Sequence, residues 1–135
     1  MLRRVIYVSR SLIGADPATL DAIVSAAMVR NAKDGLTGML WADGQSFAQA
    51  IEGDPEKLGM TMERIRADPR HTECATVSDR AVLSRQFGSW SMRQAFDDPA
   101  TDNATAFIIG FAMGERSPAA ARLYETVLAC DRPCQ

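Results

Sequence analysis

The stretch LTGMLWADGQSFAQAIEG, residues 36–53, constrains this chain more than any other. Two apolar runs, 36–42 and 46–52, flank Asp43-Gly44. An Asp-Gly pair between β-prone runs is a strong hairpin signal, because glycine accepts the positive φ that a tight turn demands. Two adjacent antiparallel strands follow. The second carries an oddity. Phe47, Ala48, Ala50 and Ile51 read as buried strand, yet Gln49 stands among them. A buried amide is costly unless its donors and acceptors find partners.

Helix starts are marked around this hairpin. Asp16-Pro17, Asp54-Pro55, Asp98-Pro99 and Ser117-Pro118 each set a capping side chain before a proline suited to the first helical position. The first helix shows Leu20, Ile23, Val24, Ala27 and Met28 at helical spacing, and Gly35 is its candidate C-terminal cap. The second carries Leu58, Met62 and Ile65 and ends near Asp68-Pro69. Further strands are read at 4–9 (RVIYVS), 74–78 (CATVS) and 87–96 (FGSWSMRQAF), the last weakened by Gly88 and its serines. The order β-α-β-β-α-β-β predicts an α+β, ferredoxin-like sheet with two helices on one face. Two more helices, 99–113 and 118–129, are expected to cap the sheet or to form an interface, since AFIIGFAMG (106–114) is too apolar to stay exposed.

The bulk properties remove several function classes. The 135 residues suit one domain, and 47% hydrophobic with 24% charged residues is ordinary for a globular protein. Net charge is −2 with both signs interleaved, so no basic stripe offers a nucleic-acid surface. The apolar run of MLRRVIYVSRS is too short for a signal peptide and no window reaches a membrane span, which predicts a cytoplasmic protein without membrane contact. Cys74, Cys130 and Cys134 are odd in number and accompany a single histidine, so neither a disulfide framework nor a metal site is expected, and the C-terminal pair reads as reduced thiols. No GxSxG, HExxH or P-loop pattern is present, which argues against an enzyme.

A few residues break the packing pattern. Asn31 continues the apolar stripe of the first helix, either as a wet helix-end residue or facing something polar beneath it. Tyr7 points to the opposite strand face from Ile6 and Val8, and its hydroxyl wants a partner. The first and third strands are central neighbours in this topology, so a Tyr7–Gln49 contact is expected, with Phe47 and Ile51 on Gln49's face. A structural polar pair would explain that contact equally. His71, in IRADPRH (65–71), reads as a solvated helix-end residue. Trp90 and Met92 fall on one face of the fifth strand with Ser91 on the other, where core packing is the default.

Taken together, RVIYVSRS, RNAKDGLTGMLWADGQSFAQAIEG, IRADPRH and RQFGSWSM resemble a BLUF domain, a blue-light sensor using flavin, of a short stand-alone kind. The resemblance covers 2–96 and implies a flavin-binding domain over 1–96 with a C-terminal helical extension over 97–135. It implies FAD as the non-covalent cofactor, with FMN and riboflavin as alternatives. It makes Tyr7 the redox-active tyrosine and Gln49 the switching amide between that tyrosine and the flavin edge. Asn31 bonds the polar edge of the ring, Arg30 takes the variable ring-proximal place before it, and Asp68, Arg70 and His71 lie near the ribityl side. Phe47 joins the cofactor set, and Ile23, Val24 and Met28 are candidate walls from the first helix. Trp90 and Met92 become the signalling pair that competes for space beside the glutamine. Light-driven loss of an electron and a proton from Tyr7, then rotation or tautomerisation of Gln49, would shift the absorption to the red. The output implied is an unidentified separate partner protein, with a homo-oligomer expected. A light-independent interaction module on the same fold is the alternative; an acylphosphatase-like hydrolase lacks its phosphate-cradling glycine loop. Ala48, Ala50 and Leu36 depart from bulkier or β-branched residues usual in the family, and are expected to loosen the pocket or to alter the photocycle rate.

Overall fold

The structure, a computed structural model, describes residues 1–135 except Ala15, Ser89, 96–98 and 131–135, and leaves out the side chains of Pro99, Ala100 and Cys130. The sequence features at Asp98, Phe96, Cys134 and the Cys130 thiol therefore lie outside the described residues.

Asp43 builds the hairpin turn. Its Oδ1 accepts from Gln45 N at 2.9 Å and Ser46 N at 2.7 Å, and Gly44 sits at φ 88°. Strands β2 (Thr37–Ala42) and β3 (Ser46–Gly53) leave it with Leu40 opposite Gln49. Strand β1 (Leu2–Ser11) pairs antiparallel with β3 and sets Tyr7 opposite Gln49. Its other edge pairs with β4 (His71–Val82). The order β2-β3-β1-β4 is the ferredoxin-like arrangement, with β1 and β3 central.

Helix α1 (Pro17–Asp34) starts where Asp16 accepts from Thr19 N at 3.3 Å, and it stops at Gly35, whose φ of 68° suits glycine. Helix α2 (Pro55–Arg66) starts where Asp54 accepts from Glu56 N and Lys57 N, each at 3.1 Å. Helices α3 (Pro99–Gly114) and α4 (Pro118–Cys130) follow, α4 capped by Ser117 Oγ on Ala120 N at 3.1 Å.

Strand alternation divides the interior into two cores. Val5, Tyr7, Phe47 and Ile51 pack beneath α1 and α2 with Val24, Leu58 and Met62. Ile6, Met39, Trp41, Ala48 and Ala50 face the other way, against Ile108 and Ala112 of α3 and Leu123 and Val127 of α4. The apolar AFIIGFAMG segment thus caps the sheet. Trp41 Nε1 donates to Thr105 Oγ1 at 3.1 Å, fastening β2 to α3.

Two sequence expectations need correction. β4 is far longer than 74–78, because it is an edge strand whose exposed polar residues, Thr72, Glu73, Asp79 and Arg80, carry no apolar alternation. The fifth strand does not form among the described residues of 87–95. That segment runs beside β2 through Gly38 N to Trp90 O (2.9 Å), Leu40 N to Arg93 O (2.9 Å) and Ala95 N to Leu40 O (2.7 Å), with one isolated parallel bridge, Leu40↔Gln94. Without strand pleating, alternation fails. Trp90 packs on the α3/α4 core and Met92 lies in the opposite one, so the two do not share a face.

Candidate functional site

Between α1, α2 and the sheet lies a cleft with about 750 Å³ of atom-free space, part of it continuous with solvent. The sheet supplies its floor: Tyr7, Leu40, Phe47, Gln49 and Ile51. Ile23, Ala27, Arg30 and Asn31 descend from α1, and Thr61, Arg64 and Ile65 from α2. Asp68, Arg70 and His71 close the end beyond α2.

The polar centre of the floor follows from register. Because Tyr7 and Gln49 are direct cross-strand partners, the Tyr7 hydroxyl donates to Gln49 Oε1, and both side chains are buried. Burial drives the phenol pKa well up, and charge at Cys74 and Asp68 adds to it, so Tyr7 keeps its proton and serves as a neutral donor. Gln49 Nε2 donates to Met92 Sδ at 3.5 Å, a weak acceptor. The amide therefore has one firm partner and one soft one.

Asn31 sits in the last turn of α1 and is 4% exposed, so it is not a wet helix end. Its Nδ2 donates to Ser91 O at 2.6 Å, which ties α1 to the Met92 segment. An asparagine amide has donor and acceptor capacity beyond that one bond, and it lines the cleft.

His71 differs from its expected place as a solvated residue. It begins β4, with Nδ1 2.7 Å from Ser9 Oγ and Nε2 2.5 Å from Ile65 O. A carbonyl only accepts, so Nε2 carries a proton, and in the neutral ring Nδ1 then accepts from the Ser9 hydroxyl. The imidazole stands edge-on to the Tyr7 and Phe47 rings at 6.3 and 6.4 Å. A bulge puts it there. Between the pairs Arg10↔Thr72 and Val8↔Ala75, β1 has Ser9 where β4 has both Glu73 and Cys74, and Glu73 adopts φ 52°. The additional residue lets His71 and Thr76, five positions apart, lie on the same face of the sheet, opposite Ser11 and Tyr7.

Asp68 and Arg70 form a forked pair across the proline between them, with Arg70 Nε on Oδ1 at 2.9 Å and Nη2 on Oδ2 at 2.5 Å. The hydrogen bond from Arg70 pulls the Asp68 pKa down to about 2. The cleft mouth thus holds a fixed, internally neutralised charge pair.

The cleft brings together Tyr7, Ile23, Arg30, Asn31, Phe47, Gln49, Asp68, Arg70 and His71. It leaves out Val24, which is buried in the core under α1, and Met28, which is 45% exposed. The cleft-facing line of α1 is Ile23, Ala27 and Asn31, one helical row away. Ala48 and Ala50 face the α3/α4 core, so they cannot loosen this cleft. Thr61, Arg64 and Ile65 are additions; Thr61 and Ile65 continue the row begun by Leu58, which is the signal that could have found them. Among the described residues there is no acidic, histidine or cysteine cluster fit for a metal, and no helix is long and apolar enough to cross a membrane.

The apolar walls suit the faces of a flat ring, and Asn31 and Gln49 suit a polar edge. Comparison with known proteins agrees with that chemistry. A family model described as BLUF, sensors of blue-light using FAD, matches residues 2–93. Photoactivated adenylate cyclase subunit beta of Euglena gracilis is 33% identical over 102 residues, 74% of this chain but 12% of that protein. The dark-state structure of the BLUF protein BlrB is 32% identical, with a TM-score of 0.70 and 95% of each chain covered. Klebsiella pneumoniae BlrP1, solved with FMN and cyclic diGMP, is 31% identical with a TM-score of 0.68, covering 96% of this chain and 34% of that one. Since the family match takes in both strands of the Tyr7–Gln49 pair and runs on past Met92, the chain belongs to the BLUF family of flavin-using blue-light sensors.

Proposed function

We propose that this protein is a blue-light receptor that holds a flavin in the α1/α2 cleft and signals to a separate partner through the hydrogen bonds of Gln49. The observation that carries the reading is the buried chain from the Tyr7 hydroxyl to Gln49 Oε1 and from Gln49 Nε2 to Met92 Sδ on the cleft floor. Ile23 and Ile65 flank the ring, Asn31 and Gln49 serve its polar edge, Arg30 takes the ring-proximal place beside Asn31, and Asp68, Arg70 and His71 serve the ribityl side. FAD is the assigned cofactor; FMN, present in the BlrP1 structure, and riboflavin are tested beside it.

A bound flavin supplies absorption of blue light and an oxidising excited state. The protein supplies the rest. Burial keeps the Tyr7 phenol protonated, so an electron would pass from it to the excited flavin only together with loss of the proton toward Gln49 Oε1, and both would return to Tyr7 on recombination, leaving the amide rearranged. Gln49 is the two-state element. Turned end for end, its N–H faces the Tyr7 oxygen and its carbonyl faces the Met92 side. The thioether is a weak acceptor, so little is lost when the amide leaves it. Met92 then gives way, and the 90–95 segment carries the change along β2 toward α3.

The role is sensing, without turnover in this chain. Relatives named photoactivated adenylate cyclases are far longer than the stretch matched here, and an effector distinct from this flavin-binding domain is the proposed output. Flavin-free protein is loaded with FAD, FMN or riboflavin, and light-minus-dark spectra are recorded. A reversible red shift is expected. A protein that takes up none of the three overturns the reading.

A further inference from the structure

We propose that Glu52, together with Arg4, is a positioning residue that sets Met92 against Gln49 from the opposite face of the sheet. The inference rests on the Gln49 switch proposed above.

Glu52 is 0% exposed. It sits three residues beyond Gln49 on β3 and faces the α3/α4 side, as Ala48 and Ala50 do. Its carboxylate is saturated with donors: Arg4 Nε at 2.6 Å, Gln86 N at 2.9 and 2.8 Å, and Phe87 N at 2.7 Å. Arg85, one residue earlier, reaches Thr37 Oγ1 at 2.8 Å, Gly35 O at 2.9 Å and Glu52 O at 3.1 Å. Residues 85–87 are thereby tied to the end of α1 and to the paired ends of β2 and β3.

These ties hold a segment that no strand ladder holds. Downstream, Trp90 O accepts from Gly38 N, Ser91 O from Asn31, and Met92 Sδ from Gln49. The position of Met92 is therefore fixed by anchors on either side of it, and the Glu52 carboxylate is a fully buried one. The same strand presents the switching amide on one face and the anchor of its soft partner on the other. The anchor also reaches the terminal helices. The Phe87 ring stands edge-on to Phe107 of α3 at 5.9 Å, and the Arg4 guanidinium lies over that same ring at 5.2 Å. A buried ion pair is weak support for stability alone, but a carboxylate that receives successive backbone N–H groups fixes where the chain runs.

Glu52→Gln tests this. The amide sets an N–H group against donors that need an acceptor. Amide exchange is followed across 85–95 in the flavin-free full chain, and dark recovery is followed in the FAD-loaded chain. With the variant, exchange should speed up about tenfold or more, the size of effect that a buried donor left without its acceptor produces. Dark recovery should change several-fold at unaltered flavin content. Glu52→Asp keeps the charge and should recover part of both. Val127→Ala opens a cavity in α4 and should lower stability without moving either rate. If Glu52→Gln does not accumulate, Arg85→Met releases the same segment without burying a mismatched group, and faster exchange is again expected.

A lowered melting temperature with both rates unchanged would show a purely stabilising ion pair and overturn the proposal. So would Val127→Ala moving both rates to the same extent. Absence of any light-induced shift in the loaded wild type would instead overturn the switch reading, while the exchange result still decides whether Glu52 positions the segment.

Discussion

Gln49 is bonded unequally at its two ends. A buried phenol donates to its oxygen, while its nitrogen donates to a thioether at 3.5 Å. Turning the amide over exchanges donor for acceptor at both ends within the same volume. Leucine fills that volume without either function. Gln49→Leu is expected to keep flavin and lose the red shift, and an intact shift in the variant would refute the switch. The same change strips the Tyr7 hydroxyl of its acceptor, so denaturant titration should show a loss of about 1–3 kcal/mol. Tyr7, Gln49 and Asn31 were legible in the sequence because each is a polar residue on an apolar stripe, where burial demands a partner. Glu52 was not: an acid at a strand end reads as solvated, and only the return of residues 85–87 covers it. His71 was misplaced because its facing depends on a bulge at Glu73, and periodicity of two cannot foresee an added residue.

At the scale of elements, the readable parts are those fixed locally. The Asp43-Gly44 turn and the Asp16, Asp54 and Ser117 caps act within a few residues, and each fell where the sequence placed it. The 87–95 segment is fixed by tertiary contacts instead, and its Gly88 and serines leave no strand preference to overrule them. Gly38 shows how tight that docking is. A Cβ there would lie 2.3 Å from Ala50 O, a backbone atom that cannot turn aside, while Gly38 N holds Trp90 O at 2.9 Å. Gly38→Ala should therefore push β2 off β3 and carry the Trp90–Met92 stretch with it. A cost of about 1–3 kcal/mol is expected from overpacking, measured by chemical denaturation. Unchanged stability would mean that the strands separate more easily than their pairing implies.

At the scale of the whole molecule, one sheet serves two cores, and its ionisable groups set the pH range over which both persist. Asp68 is lowered to about 2 by the hydrogen bond from Arg70, and Asp79 is lowered by the hydrogen bond from Arg3. An unfolded aspartate titrates near 3.9, so between about pH 4 and pH 2 the unfolded chain binds protons that the folded chain refuses. Their contribution is complete above about pH 4 and is lost as pH falls through the folded values. Tyr7 works at the other edge. Burial raises its pKa well above the unfolded value of about 10, so its contribution is complete below that value and declines as pH rises past it. Stability should thus be level between about pH 4 and pH 10 as far as these groups decide it. Tyr7→Phe separates the two limbs: the variant has no phenol at position 7 to ionise in the unfolded chain, while Tyr124 is common to both chains, so its stability should fall less than wild type's between pH 9 and pH 11, with the acid limb unaltered. Denaturant titrations across that range measure both limbs, and an alkaline limb identical in Tyr7→Phe and wild type would show that the buried phenol is not what limits the fold there.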